Sequence, residues 1–478
     1  MSEIADFGAI ILAFSAAVFV ALLGMRLAER LSVPNAAVFL VGAALLAEIV
    51  PGAGEALSIE EVERIAVVGL VIILFDGGLH IGFGRFRRSA GPILALGIAG
   101  TFLTAGIVAL GARYLLDFSW IEAGLVGAAI APTDPAVTFS VFGARELRGR
   151  AGTILEGEAG TNDPVGIALM IGMIELARED DGSFWIVAEE FAVEMSIGLA
   201  IGVVGALLLL PIMRHVRLTG PALYPIRVLA GAGIVYGLAA VAGGSGFLAV
   251  FVAGVVLGDV AAPRKGEIES FHSSLAGLAE IGAFVALGLS IGAYVEMDDP
   301  DVWVHGLVLA VVLAFVARPL AVWPLLSRAR LTHGERGFVV WGGLKGAVPI
   351  LLGALALLAG VEDGSRLYGV VFVVVLFSVI VQGASLPYVA RRLRVVFRPV
   401  DHDLAEVLEF VVREDAFASG RRMGQLPLGE RAWVGVLVRD GRPRAFGHDT
   451  VLLPGDRVHV YSQPEDAAAL ERIFAGTS

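Results

Sequence analysis

The 478-residue sequence contains no cysteine, which excludes disulfides, thiolate metal sites and a cysteine nucleophile. It is also poor in charge: 17% of residues are Asp, Glu, Lys or Arg, against 57% hydrophobic, and the mean hydropathy is +0.81. A soluble chain of this length exposes far more charge. The composition therefore indicates a polytopic membrane protein, whose apolar stretches of roughly 20 residues each cross a hydrocarbon layer about 30 Å thick. The opening MSEIADFGAI lacks the basic segment of a cleavable signal, so the first apolar run reads as a retained span. A T-V-G-Y-G-like filter segment is missing, as is a G-x-G-x-x-G nucleotide fingerprint in the charged C-terminal part. No nucleic-acid partner is expected.

What is present is a series of about thirteen apolar runs, at 7–26, 34–50, 64–82, 90–115, 119–143, 151–177, 185–212, 222–242, 246–262, 271–295, 302–326, 335–359 and 366–390. Alternate connections are basic: Arg26 and Arg30; Arg85, Arg87 and Arg88; Arg145, Arg148 and Arg150; Arg214 and Arg217; Arg264 and Lys265; Arg328, Arg330 and Arg336; and the RRLRVVFR run from Arg391. The connections between them are acidic or neutral. Positive charge is retained on the cytoplasmic side, so this alternation predicts an outside N-terminus and a cytoplasmic C-terminus, which requires an odd number of spans.

Several charges lie inside these runs. In LEGEAGTNDPVGIALM, Asp163 falls about 18 Å into its span at 1.5 Å per residue, near mid-membrane. Glu158 and Asn162 share a helical face, as do Glu156 and Asp163. A carboxylate facing lipid at that depth costs about 2.5–3.5 kcal/mol, so these groups should face protein or a water-filled cavity. In the fifth run, Pro132 and Pro135 bracket Thr133 and Asp134. Each proline removes a backbone donor, which predicts a broken helix with free carbonyl oxygens suited to a hard cation. In the twelfth, FVVWGGLKGAVPILLGAL, the residues Gly342, Gly343, Gly346 and Pro349 weaken the helix around Lys345. The two interrupted runs are seven elements apart and run in opposite directions, a sign of an inverted repeat and a transport site. Glu158 is the economical partner for Lys345. Asp76, in ILFDGGLHI, sits with His80 near the cytoplasmic end, where solvation alone also accounts for them and for Glu156.

After about residue 400 the composition changes. Residues 401–478 contain no run long enough to span and read as a small cytoplasmic α+β domain. WVGVLVRDGRPRAFG is a strand entering an Asp-Gly turn, LLPGDRVHVYS a turn into another strand, and EDAAALERIF a short amphipathic helix. DLAEVLEFVV is compatible with helix or strand.

TDP at 133–135, ND at 162–163 and GGLKGAVP at 342–349 together resemble the electroneutral, NhaP-type branch of the monovalent cation:proton antiporters, over roughly residues 5–395. The tail resembles the C-terminal half of potassium-conductance regulators, the TrkA-C type. The resemblance implies a transport domain at 1–398 and a regulatory domain at 401–478. It implies a thirteen-helix all-α membrane fold with crossing discontinuous helices and inverted repeats. It further implies a homodimer in the bacterial inner membrane, alternating access, and a role in pH homeostasis. By that resemblance Asp163 exchanges cation and proton, Thr133 and Asp134 help hold the ion, and Asp76 contributes through water. Asn162 orders the crossing helices and Glu158 ties to the basic residue of the twelfth span. Pro132, Pro135, Gly343, Gly346 and Pro349 shape the helix breaks. Two departures stand out. The basic residue of the twelfth span is commonly Arg but here is Lys345. The residue after Glu158 is often a Ser ligand but here is Ala159.

The implied function is exchange of K⁺, or Na⁺, for H⁺, with no cofactor and no enzymatic activity. Burial disfavours the charged form of Asp163, so proton and cation compete for one carboxylate, and exchange results when only the loaded carrier switches sides. The uncharged Asn162 suggests one cation per proton. A tail-gated cation channel and an intramembrane aspartyl hydrolase are the alternatives. For the tail, a nucleotide or ion as regulatory ligand stands beside a stabilising cap on the dimer.

Overall fold

Helices dominate the chain up to Arg392, and a small sheet follows. The computed structural model describes residues 15–478 apart from 17, 27, 29, 31–32, 51–53, 55–56, 143–144, 148–149, 179–184, 296–298, 400–405, 429–431, 463–466 and 477–478. Residues 7–14 of the first expected span lie outside the described residues, as do 403–405 of DLAEVLEFVV. The chain divides into two compact units, Met1–Arg398 and Pro399–Ser478.

Six helical runs among the described residues are long and apolar enough to cross a bilayer: Ile59–Leu115, Trp185–His215, Leu223–Val241, Lys265–Tyr294, Pro300–Arg328 and Gly364–Arg392. Asn35–Ile49, Trp120–Ile130, Gly246–Gly258 and Ala347–Leu358 are apolar but shorter. Arg150–Arg178 has the length, 29 residues, but carries Glu156, Glu158 and Asp163. Helix length alone therefore yields fewer independent spans than the thirteen read from hydropathy. One reason is that the expected spans 64–82 and 90–115 form a single helical run with a kink. Gly82 lies at φ 64 and ψ 159, which only glycine adopts without strain. Asp259 Oδ2 accepts the Gly84 N–H across the kink at 2.5 Å.

Close backbone approach sets the packing around the centre. A Cβ on Gly78 would stand 2.6 Å from the Phe251 carbonyl oxygen, and one on Gly254 2.5 Å from that of Phe75. The helices Ile59–Leu94 and Gly246–Gly258 thus touch main chain to main chain, as small residues permit in lipid. The middle of helix Arg150–Arg178 is fully enclosed: every residue from Gly157 to Met170 is buried. Glu158 and Asp163 are therefore surrounded by protein rather than lipid.

In the second unit, strands Glu406–Val411, Arg457–Ser462, Trp433–Arg439 and Arg442–Arg444 form an antiparallel sheet in that spatial order. DLAEVLEFVV contributes a strand. The Asp440–Gly441 turn has both residues at positive φ, 51 and 72, the geometry that matches strand twist in a two-residue hairpin. Val458, Val460, Leu470 and Phe474 are buried in its core, the last two from helix Ala467–Phe474.

Buried Asp456 anchors this sheet. Its oxygens accept from Arg439 Nε at 2.7 Å, Arg439 Nη2 at 2.6 Å and the Leu453 N–H at 2.8 Å. Burial pushes its carboxyl up, but the Arg439 hydrogen bonds, the Leu453 N–H and the Arg439 charge together hold it below the usual carboxylate value. A depressed folded value means the stabilisation is complete above the unfolded pKa and is lost as pH falls through the folded one. Asp456→Asn should lower the hydrogen-exchange opening free energy of strand Arg457–Ser462 by about 1–3 kcal/mol at neutral pH. The difference from wild type should shrink under acid conditions; an equal opening energy at neutral pH would contradict this account.

Candidate functional site

Both interrupted runs are broken where the sequence places their prolines and glycines. Helix Trp120–Ile130 stops, residues 131–134 are irregular, and a short helix Pro135–Ser140 resumes. Helix His333–Trp341 stops, 342–346 are irregular, and Ala347–Leu358 resumes. Pro135 takes the first helical position of its segment, where no donor is needed. Pro349 lies in the first turn of Ala347–Leu358 and causes no further break. The two irregular stretches meet: the Asp134 N–H donates to the Leu344 carbonyl at 2.8 Å, and Thr138 Oγ1 donates to the Gly342 carbonyl at 2.6 Å.

The helix ends at this crossing leave backbone groups unpaired, and side chains meet them. Lys345 Nζ donates to the carbonyls of Ala131 and Pro132, at 2.7 and 2.8 Å. Its charge thus stands at the negative end of the Trp120–Ile130 dipole. Asp134 Oδ1 caps the Ala136 and Val137 N–H groups at 2.9 and 3.3 Å. Its Oδ2 lies against Gly346, where a Cβ would come within 1.9 Å, so Asp134 stands between the positive ends of two half-helices. Asn162 Nδ2 donates to Thr133 Oγ1 at 2.8 Å, and Asn162 Oδ1 accepts the Thr133 N–H at 3.4 Å. The amide holds the first break to the central helix.

The expected Glu158–Lys345 tie is not what forms. Glu158 is ion-paired with Arg318, and both are buried. Arg318 Nη2 also donates to the Val339 carbonyl at 3.1 Å. Gly343 makes the space, since a Cβ there would lie 2.1 Å from that same nitrogen. The physical reason is that Lys345 is consumed by helix-end carbonyls, while a planar guanidinium can serve a carboxylate and a carbonyl at once. Sequence reasoning missed Arg318; the signal was an arginine standing mid-way in the apolar run 302–326. It also passed over Glu280, an isolated carboxylate in 271–295.

Glu158 Oε2 and Asp163 Oδ1 are both buried without a hydrogen bond from any described residue, but Asp163 alone of the two borders a cavity. That cavity, of about 350 Å³, is also lined by Asp76, His80, Asp134, Glu156 and Glu280. His80 and Ser273 are exposed and Asp163 is not, so the cavity opens at the His80 end. There Asp76 pairs with His80 at 3.3 Å and accepts from Ser273 Oγ at 3.4 Å. Asp76, Asp134 and Asp163 thus share one cavity. Thr133, Asn162, Glu158 and Lys345 build its supporting crossing instead.

A double-mutant cycle on the solubilised full chain should give a larger stability coupling for Glu158–Arg318 than for Glu158–Lys345. Arg318→Ala alone should cost about 3–5 kcal/mol, the penalty for leaving a buried charge without its partner. Equal couplings would restore the Lys345 pairing.

The comparisons with known proteins converge on one family. The transmembrane sodium/hydrogen exchanger family matches residues 15–392, and the TrkA-C domain matches 407–475. The K(+)/H(+) antiporter NhaP2 of Shewanella sp. (strain ANA-3) is 31% identical over 464 residues, covering 94% of this chain and 80% of that protein. The K(+)/H(+) antiporter NhaP of Alkalimonas amylolytica is 32% identical over 429 residues, 87% of this chain and 74% of that protein. In structure the chain is similar to the sodium proton antiporter MjNhaP1 from Methanocaldococcus jannaschii, with a TM-score of 0.67 at 23% identity, over 80% of this chain and 100% of that one. The fold is thus that of a helical membrane transporter, and the chain belongs to the sodium/hydrogen exchanger family of monovalent cation/proton antiporters.

Proposed function

We propose that the protein exchanges one monovalent cation, K⁺ in preference to Na⁺, for one proton across the bacterial cytoplasmic membrane, with Asp163 as the shared site. The observation that carries this is the free Asp163 Oδ1 at the wall of an open cavity, beside an uncharged Asn162 turned away to Thr133. Lys345 and one oxygen of Asp134 are committed to helix ends, and Glu158 to Arg318. The carboxylate that can trade a proton for a cation is then Asp163. A proton or a cation neutralises it, and the neutral site moves between the two faces more readily than the bare anion, which gives obligatory exchange. Asp134 and Asp76, which line the same cavity, complete the oxygen environment of the ion, while Thr133, expected as a ligand, holds the helix break through Asn162.

The arginines at 85, 87 and 88, a few residues beyond His80, support a cytoplasmic position for the His80 end of the cavity. The conformation described is then inward-open, with the N-terminus outside and the C-terminus in the cytoplasm. Alternating access in a homodimer, with the Pro399–Ser478 unit as a regulatory domain for a small ligand, follows from the family resemblance. Potassium is favoured because relatives that match 94% and 87% of this chain, at 31% and 32% identity, are named as K⁺/H⁺ antiporters, while the Na⁺/H⁺ antiporter NhaH of Halobacillus aidingensis matches over 77% of this chain at 29% identity.

In proteoliposomes loaded with a pH-sensitive dye, KCl should drive proton flux more strongly than NaCl. In the sodium runs the flux should ignore an imposed membrane voltage, and Asp163→Asn should abolish it. Cation leak without coupled proton movement would point to a channel instead.

Ala159 is buried in the cavity wall one residue after Glu158. A Ser there would add one oxygen ligand, and ligand number and cavity size set selectivity between cations of one charge. Ala159→Ser should shift the ratio of half-saturating concentrations toward sodium by on the order of a few-fold. An unchanged ratio in an active variant would remove Ala159 from selectivity.

A further inference from the structure

One wall of the cavity is formed by helix Lys265–Tyr294, which presents Ser273, Ala276, Gly277, Glu280, Ala283 and Phe284. The spacing of three and four residues makes this a single helical stripe. Small residues keep it open, and Glu280 is its one ionisable group. Glu280 lies about 10 Å along the helix axis from Ser273, at 1.5 Å per residue. Ser273 is at the mouth beside Asp76, so Glu280 stands deeper, within electrostatic reach of Asp134. No hydrogen bond or ion pair with a described residue engages the Glu280 carboxylate. It comes from a different helix from either Asp134 or Asp163. Among the described lining residues, the only group able to carry positive charge is His80, already paired with Asp76.

Carboxylates from separate helices that face one water-accessible cavity without a cationic partner repel one another, and a mobile cation relieves that repulsion. The buried, unpartnered Asp163 Oδ1 in the same cavity marks it independently as a ligand space. From this placement we infer that Glu280 is a second, outer cation site, which holds a hydrated monovalent cation in the cavity before the ion reaches Asp163. This rests on the exchange reading above for its kinetic consequence, though not for the binding itself. Glu280 raises the local cation concentration and hands the ion inward. It takes no part in the proton exchange at Asp163, so it governs apparent affinity rather than maximal turnover.

The test uses the full-length chain with Glu280→Gln, which keeps the side-chain shape, and Glu280→Asp, which keeps the charge. In proteoliposomes, Glu280→Gln should raise the half-saturating K⁺ concentration on the order of five-fold. Its rate at saturating K⁺ should stay within about two-fold of wild type, and Glu280→Asp should recover most of the affinity. A merely structural role would lower the maximal rate and leave half-saturation unchanged, which overturns the inference, as does wild-type half-saturation in Glu280→Gln. Equilibrium binding of radioactive rubidium to the purified protein, as a potassium stand-in, reads the same site without exchange. If wild type shows no exchange but Glu280→Gln binds rubidium more weakly, the outer site stands and the exchange reading fails. Equal rubidium binding by wild type and Glu280→Gln overturns the outer site.

Discussion

Two helices broken in the middle of a membrane protein must find partners for the backbone groups they release, because hydrocarbon offers none. Here the breaks at 131–134 and 342–346 supply partners to each other, through Asp134 N–H to Leu344 O and Thr138 Oγ1 to Gly342 O. The remaining ends are matched by charge, with Lys345 on the carbonyls of Ala131 and Pro132 and Asp134 on the opposing N–H groups. Everything else at the site depends on this crossing. It fixes where irregular backbone can exist at depth, and it consumes the charges that would otherwise compete with Asp163.

That consumption gives the site its selectivity of role. Five polar residues of the central region are committed to protein partners: Lys345 to carbonyls, Asn162 to Thr133, and Glu158 to Arg318. Asp163 keeps an oxygen without a partner among the described residues at the wall of a cavity. Neighbours held by ion pairs and helix ends leave Asp163 able to change its ligand without disturbing the fold. The glycines serve the same end, since Gly343 leaves room for the Arg318 guanidinium and Gly346 for the Asp134 carboxylate. A methyl group at either position would push a charged side chain out of its place.

Much of this was legible in the sequence. The locations of both helix breaks follow from Pro132, Pro135 and the Gly342–Gly346 stretch, because those residues act on their own backbone. The buried carboxylates of 156–163 could be assigned to protein or cavity rather than lipid, because desolvation cost depends on the residue and its depth alone. The tail's hairpin at Asp440–Gly441 was readable for the same reason: a positive-φ turn is a local requirement. Charge alternation in the connections was also plain, being a property of composition along the chain.

Pairing was not legible. Glu158 could be matched to Lys345 on economy, and the structure matched it to Arg318, 160 residues away. Which of two buried cations meets a carboxylate depends on where helix ends fall in space, and a lysine drawn to two carbonyls is no longer available. The kink at Gly82 within one helical run, held by Asp259 at the end of helix Gly246–Gly258, and the gathering of Asp76, Glu280 and Asp163 around one cavity are likewise products of packing. The sequence by itself determined the membrane class, the helix breaks and the residue types at depth, because these are costs each segment meets alone. Only the tertiary structure decided which charges neutralise one another and which one stays free, because Coulomb and hydrogen-bond partners are chosen by distance and not by order along the chain.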